Sequence, residues 1–134
     1  MNRRSFLARL GGFLLAVGFG AAVARGAATT EELIREAITS RRSLRLTYAG
    51  HPRLVEPHAL GVTPGGHRAI VVWQFGGTSR TAPPTGWRTF HLNAMSDVQR
   101  TVRGFKVRPD YQPRKLGLRT IEIDVQPEAP AGNR

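Results

Sequence analysis

Five side chains in this sequence combine polar chemistry with a strand-like setting: Arg53, Trp73, Gln74, Arg88 and His91. Arginine presents a rigid fork of donors that matches a carboxylate or a phosphate, and histidine adds a donor whose charge changes near neutral pH. Tryptophan offers a face on which a base or sugar can stack, and the adjacent glutamine can orient a polar ligand. The set points to recognition of an anion. Each residue also has a purely structural alternative. Arg53 can pair with Glu56 or another acid, Arg88 can be solvated, and both Trp73 and Trp87 can be core.

Other chemistries lack their residues. The chain has no cysteine, which removes disulfides, thiolate metal sites and thiol nucleophiles together. His51, His58, His67 and His91 fall at no metal-ligand spacing and have no acidic cluster beside them, so they read as surface histidines and no metal is expected. No Gly-x-Ser-x-Gly elbow is present, and Glu56, Asp97, Asp110, Glu122 and Asp124 suggest no acid/base pair. Gly65-Gly66 and Gly76-Gly77 precede no helix, so they read as hairpin turns rather than as a phosphate cradle. No cofactor is expected.

The 134 residues carry 20 Lys or Arg against 9 Asp or Glu, a formal charge of +11. Part of that charge reads as an address. Arg3 and Arg4 open a basic segment, the stretch Leu10 to Val23 is apolar, and small residues follow, which is the layout of an export signal. The run Arg3-Arg4-Ser5-Phe6-Leu7 resembles the twin-arginine motif, with Arg3, Arg4, Phe6 and Leu7 as its matching positions. At about 14 residues, and with four glycines in it, the apolar stretch falls short of the ~20 that span a bilayer. Cleavage after Ala24, or at Gly26 or beyond, would release a periplasmic or extracellular protein with no stable membrane span. If Arg3, Arg4, Arg9 and Arg25 leave with the leader, 16 basic residues remain against all 9 acids, for +7. Only two of the 20 basic residues are lysine, a bias that genome base composition explains as readily as phosphate binding does.

About 107 residues then remain, close to the common domain size. Thr29-Thr30-Glu31-Glu32 fits a capping box, and Leu33, Ile34, Ala37 and Ile38 recur at helical spacing up to about Ser40. From Ser43 the period drops to two. Leu44, Leu46 and Tyr48 alternate with polar residues, Ala49 to Pro52 is turn chemistry, and Leu54 to Val62 is extended, with Pro57 marking an edge or a bend. Arg68 to Phe75 is the most apolar strand, Gly76 to Gly86 a loop, and Trp87 to Leu92 another alternating strand. Asp97 to Val102 and Phe105 to Val107 read as a closing strand, Thr120 to Val125 as an extra edge strand, and Pro127 to Arg134 as disordered.

The run Leu33 to Leu92 resembles the WYL domain. Its opening matches in Ala37-Ile38, Arg41-Arg42 and Leu44-x-Leu46-x-Tyr48. Its second strand matches in Arg53-Leu54-Val55-Glu56-Pro57-His58-Ala59-Leu60, and its late strand in Trp87-Arg88-Thr89-Phe90-His91-Leu92 followed by Met95-Ser96-Asp97-Val98. The name-giving tripeptide is replaced by Arg68-Ala69-Ile70, and a late arginine by His91. The resemblance implies a mainly β fold: a small Sm-like five-stranded barrel preceded by one amphipathic helix, whose strand pairing is expected to bring Arg53, Arg88 and His91 together on one barrel face. It divides the chain into a leader over 1–27, a helix-plus-barrel domain over 28–108 and an extension over 109–134. The helix-turn-helix that usually precedes this domain has no counterpart, so a transcription regulator is not expected. The expected function is a non-catalytic, exported module for an anionic ligand such as a nucleotide or oligonucleotide. The alternative is a structural or protein-interaction module of the cell envelope with a protein partner and no small ligand.

Overall fold

A computed structural model describes residues 28–78 and 85–126, and the proposed leader and the chain end after Gln126 lie outside the described residues. Within these residues one α-helix, α1 (Thr30–Ser40), precedes six strands: β1 (Arg42–Tyr48), β2 (His51–Val62), β3 (Arg68–Gly77), β4 (Gly86–His91), β5 (Met95–Gly104) and β6 (Thr120–Asp124). The protein is mainly β. Among the described residues no helix is long and apolar enough to cross a membrane.

The capping box forms as read from the sequence. The Thr29 hydroxyl accepts the Glu32 N–H at 3.1 Å, and the Glu32 carboxylate accepts the Thr29 N–H at 2.9 Å. Helical spacing then buries Ile34, Ala37 and Ile38 against the inner face of the sheet, beside Leu44, Leu46, Val55, Ile70 and Phe90. The polar side of α1 is tied down by a ring of four charges. Arg35 and Arg68 each contact both Glu31 and Glu122, at 2.6 to 2.8 Å, which joins the helix to β3 and β6. Arg68 first, and Arg35 with it, push the Glu122 carboxyl down to about 2. These side chains are about a third exposed, so the ring fixes register more than it adds stability.

The strands form one antiparallel sheet in the order β4-β3-β2-β1-β5, with β6 beside β2. The β1–β2 turn is only Ala49-Gly50, both at positive φ (51° and 82°), as a two-residue hairpin loop requires. Strand β2 therefore starts at His51, earlier than the turn chemistry of His51-Pro52 suggests. One edge of β2 pairs with β3 along its length. The other pairs first with β1, over 51–55, and then with β6, over 59–62. Pro57 falls between those two ladders, beside a register shift, so its missing N–H interrupts no pairing with β1 or β6.

The expected closure into a five-stranded barrel does not occur. Among the described residues there are six strands, and β4 and β5 end the sheet without a ladder between them. Side chains close the curl instead. Tyr48 on β1 stacks on Phe90 of β4, with centroids 4.0 Å apart, and its hydroxyl accepts the His91 backbone N–H at 3.1 Å, a donor that barrel closure would give to a carbonyl. Helix α1 fills the rest of the concavity. The segment 105–107 is not strand either, since β5 ends at Gly104. The edge strand expected over 120–125 is present as Thr120–Asp124, and it joins this chain's own sheet. The segment 105–118 leading to it crosses the outer face, where Tyr111, Leu116 and Leu118 cover Ala59, Ala69, Val71 and Trp87.

Candidate functional site

Pleating sorts the candidate residues. In register, Leu46 faces Arg53, Val55 faces Gln74 and Val72 faces Arg88. Arg53, Gln74 and Arg88 thus share the inner face with Tyr48 and Phe90, at the end of the sheet that α1 leaves open. Arg53 is only 6% exposed. Its Nη1 donates to Gln74 Oε1 at 3.0 Å, its Nη2 reaches the Tyr48 carbonyl at a long 3.5 Å, and its Nε–H has no acceptor. The guanidinium carbon lies 5.2 Å from the Phe90 ring centroid and 5.7 Å from that of Tyr48. Gln74 is fully buried and its amide is oriented, because its nitrogen donates to the carbonyls of Gly76 and Thr78 at 3.0 and 3.2 Å, leaving Oε1 for Arg53.

No described carboxylate answers this charge. Glu56, the nearest acid in sequence, pairs with Arg108 at 3.0 Å on the outer face. Burial, and then the neighbouring Arg88, push Arg53 below the usual guanidinium range, while it stays a cation at neutral pH. Arg88 is half-buried and donates to its neighbour's carbonyl, that of Trp87, at 3.0 Å. Two guanidinium groups at one sheet end, one of them buried and without an acid, form a site whose electrostatics favour an incoming anion. A recess of about 250 Å³ at the same end of β2 is lined by Arg45, Pro52, Arg53, Leu54 and Gly77.

Trp73 and His91 do not join this group. Trp73 lies on the outer face, edge-on to Trp87 with centroids 5.5 Å apart and with the Arg108 guanidinium 4.1 Å above its ring. His91 stacks on His67 at 4.8 Å. The expected convergence of Arg53, Arg88 and His91 is therefore corrected to Arg53 and Arg88 alone. The reason is parity: Arg88 and His91 are three positions apart on one strand, and Trp73 and Gln74 are adjacent, so each pair points to opposite faces. That count was already available in the sequence. Tyr48 and Phe90, which the candidate set omits, complete the walls; the parity Tyr48 shares with Leu44 and Leu46, and Phe90 with Arg88, is the signal for them.

The reading of all four histidines as surface residues fails at His58, which is fully buried. Its ring is enclosed by Trp87, Phe105 and Tyr111, at centroid distances of 4.9 to 5.2 Å. Among the described residues no group of three His, Cys, Asp or Glu is placed to hold a metal ion. Most of the described acids serve the scaffold. Glu36 pairs with Arg100, the Trp87 indole donates to Asp110 at 3.1 Å, and the Tyr111 hydroxyl donates to Asp124 at 3.1 Å. Comparison with protein-family models, with curated proteins and with solved structures finds no match to this chain.

Proposed function

We propose that this chain is an exported, non-catalytic module of WYL-like type that binds an anionic ligand such as a nucleotide or an oligonucleotide. The observation that carries the reading is Arg53: a guanidinium 6% exposed, with an unused Nε–H, beside Arg88 and with no acid in reach among the described residues. A buried cation lacking a counter-ion is costly, and an oxyanion would remove that cost. The arginine fork also suits the planar or tetrahedral geometry of carboxylate and phosphate.

The test is a titration of a fluorescent nucleotide and of a short oligonucleotide over a range of salt. Binding should weaken steeply as salt rises. Arg88→Ala should weaken it about tenfold or more, the effect of losing a charge-assisted donor worth ~1.5–3 kcal/mol. Absence of binding for both probes at low salt sinks the reading. Recovery of one stoichiometric protein partner without any anion would favour the interaction-module alternative.

Export is proposed from the leader, through the twin-arginine machinery to the periplasm or the exterior. Replacing Arg3-Arg4 by Lys-Lys should abolish export of the full chain, scored by fractionation. Unimpaired export of the double variant would assign the general pathway instead.

A further inference from the structure

His58 is the one buried titratable ring among the described histidines, and its two nitrogens hold two different segments. A backbone N–H can only donate, so the Arg108 N–H at 3.2 Å makes Nε2 the acceptor. The proton therefore sits on Nδ1, which donates to the Glu56 carbonyl at 3.0 Å. The ring is a neutral clamp between β2 and the segment 105–118. Arg108 continues the clamp through its side chain, bonded to Glu56 Oε1 at 3.0 Å and lying over Trp73.

We infer that His58 is an acid-operated latch: its protonation releases the 105–118 segment and uncovers the outer aromatic face formed by Trp73 and Trp87. A proton on Nε2 replaces the Arg108 hydrogen bond by two opposed N–H groups. It also places a charge among three aromatic rings, close to the Arg108 guanidinium. Among the described residues, Arg108, Glu56, Asp110 and Tyr111 are the titratable groups set around the ring. Arg108 repels the new charge; Glu56 offers its carbonyl, but its carboxylate is already held by Arg108; Asp110 attracts weakly and is engaged by Trp87; Tyr111 adds a neutral hydroxyl held by Asp124. Lifting the segment lets the imidazolium reach water, which relieves both penalties.

Burial first, and Arg108 with it, hold the folded-state pKa of His58 below its ordinary value. The sign follows: the closed form binds fewer protons than the released form. The latch is intact above about pH 6.5 and weakens as pH falls through that value toward the folded pKa.

The test is amide exchange and tryptophan emission of the full chain between pH 8 and pH 4. Protection of the Arg108 amide, measured against that of Val125 on the His58 carbonyl, should fall about tenfold per pH unit between the two pKa values. The emission of Trp73 and Trp87 should shift to the red while far-UV circular dichroism stays native. His58→Asn keeps one donor and one acceptor without a titrating proton, and should hold protection flat over the same range. An unchanged transition in His58→Asn overturns the latch. If that variant does not fold, the wild-type data still decide: loss of Arg108 and Val125 protection in one step with the sheet overturns it.

Discussion

Gly61→Ala is expected to detach β6 from the sheet. A Cβ at residue 61 would lie 1.9 Å from the Thr120 carbonyl oxygen and 3.1 Å from the Ile121 Cα. Both neighbours are backbone, so no side chain can turn aside to make room. Gly61 has no positive φ, hence alanine suits β2 itself, and the whole penalty falls on the pairing with β6. Overpacking alone costs about 1–3 kcal/mol. Detachment adds the loss of the Arg119 N–H bond to the Val62 carbonyl and of Glu122 from the charge ring that secures α1. For a domain of this size each kcal/mol lowers the melting temperature by about 4–8 °C. Urea denaturation should show a lower midpoint, and amide exchange should show loss of protection confined first to 119–125. Wild-type stability and protection in Gly61→Ala would refute the close approach of the two strands.

Arg108→Ala is expected to be the most destabilising change of a side chain in contact with solvent. The Glu56 side chain is 5% exposed, and Arg108, itself 33% exposed, is its partner at 3.0 Å. Removing the arginine strands a buried carboxylate, a loss of about 3–5 kcal/mol in comparable pairs. It also strips the cation from the Trp73 face, worth about 0.5–1 kcal/mol or more. Glu56→Gln removes the charge while retaining a polar partner, and should cost less. The double variant should recover part of the Arg108→Ala loss, because the residue left behind is no longer ionised. Denaturation followed by the emission of the two tryptophans gives the cycle directly. Strict additivity of the two changes would show that the pair is not coupled.

Gly61 meets Thr120, and Glu56 meets Arg108, across segments far apart in sequence, where local patterns carry no signal. The helix from Thr30, the alternation of Leu44, Leu46 and Tyr48, the buried run of β3 and the late strand at Thr120 were all legible. The helix closes its capping and backbone hydrogen bonds within a few residues, and each strand shows a side-chain pattern over an equally short span. The grouping of Arg53 with Arg88 was legible too, since the β2–β3–β4 meander brings them to one end. The position of His91 was recoverable by parity alone. The partner of Glu56 was not, because Arg108 lies on a segment with no periodicity to announce where it packs.

Local pattern is enough for the elements: a capped helix, strands in meander order, turns near Ala49-Gly50-His51-Pro52 and Gly65-Gly66, and a charge excess without enough acids to balance it. Packing in three dimensions sets what strand parity leaves open. A register shift between Pro57 and Ala59 resets the parity of β2, so that Ala59 faces outward and Leu60 inward. Closure was likewise decided in three dimensions. Tyr48 and Phe90 stack where a β4–β5 ladder would form, and helix α1 fills the concavity. Burial of His58, isolation of Arg53 from the described acids and an open sheet all follow from how curled strands meet side chains across the core. No local pattern encodes that geometry, because a pleat specifies alternation but not which segment arrives to cover it.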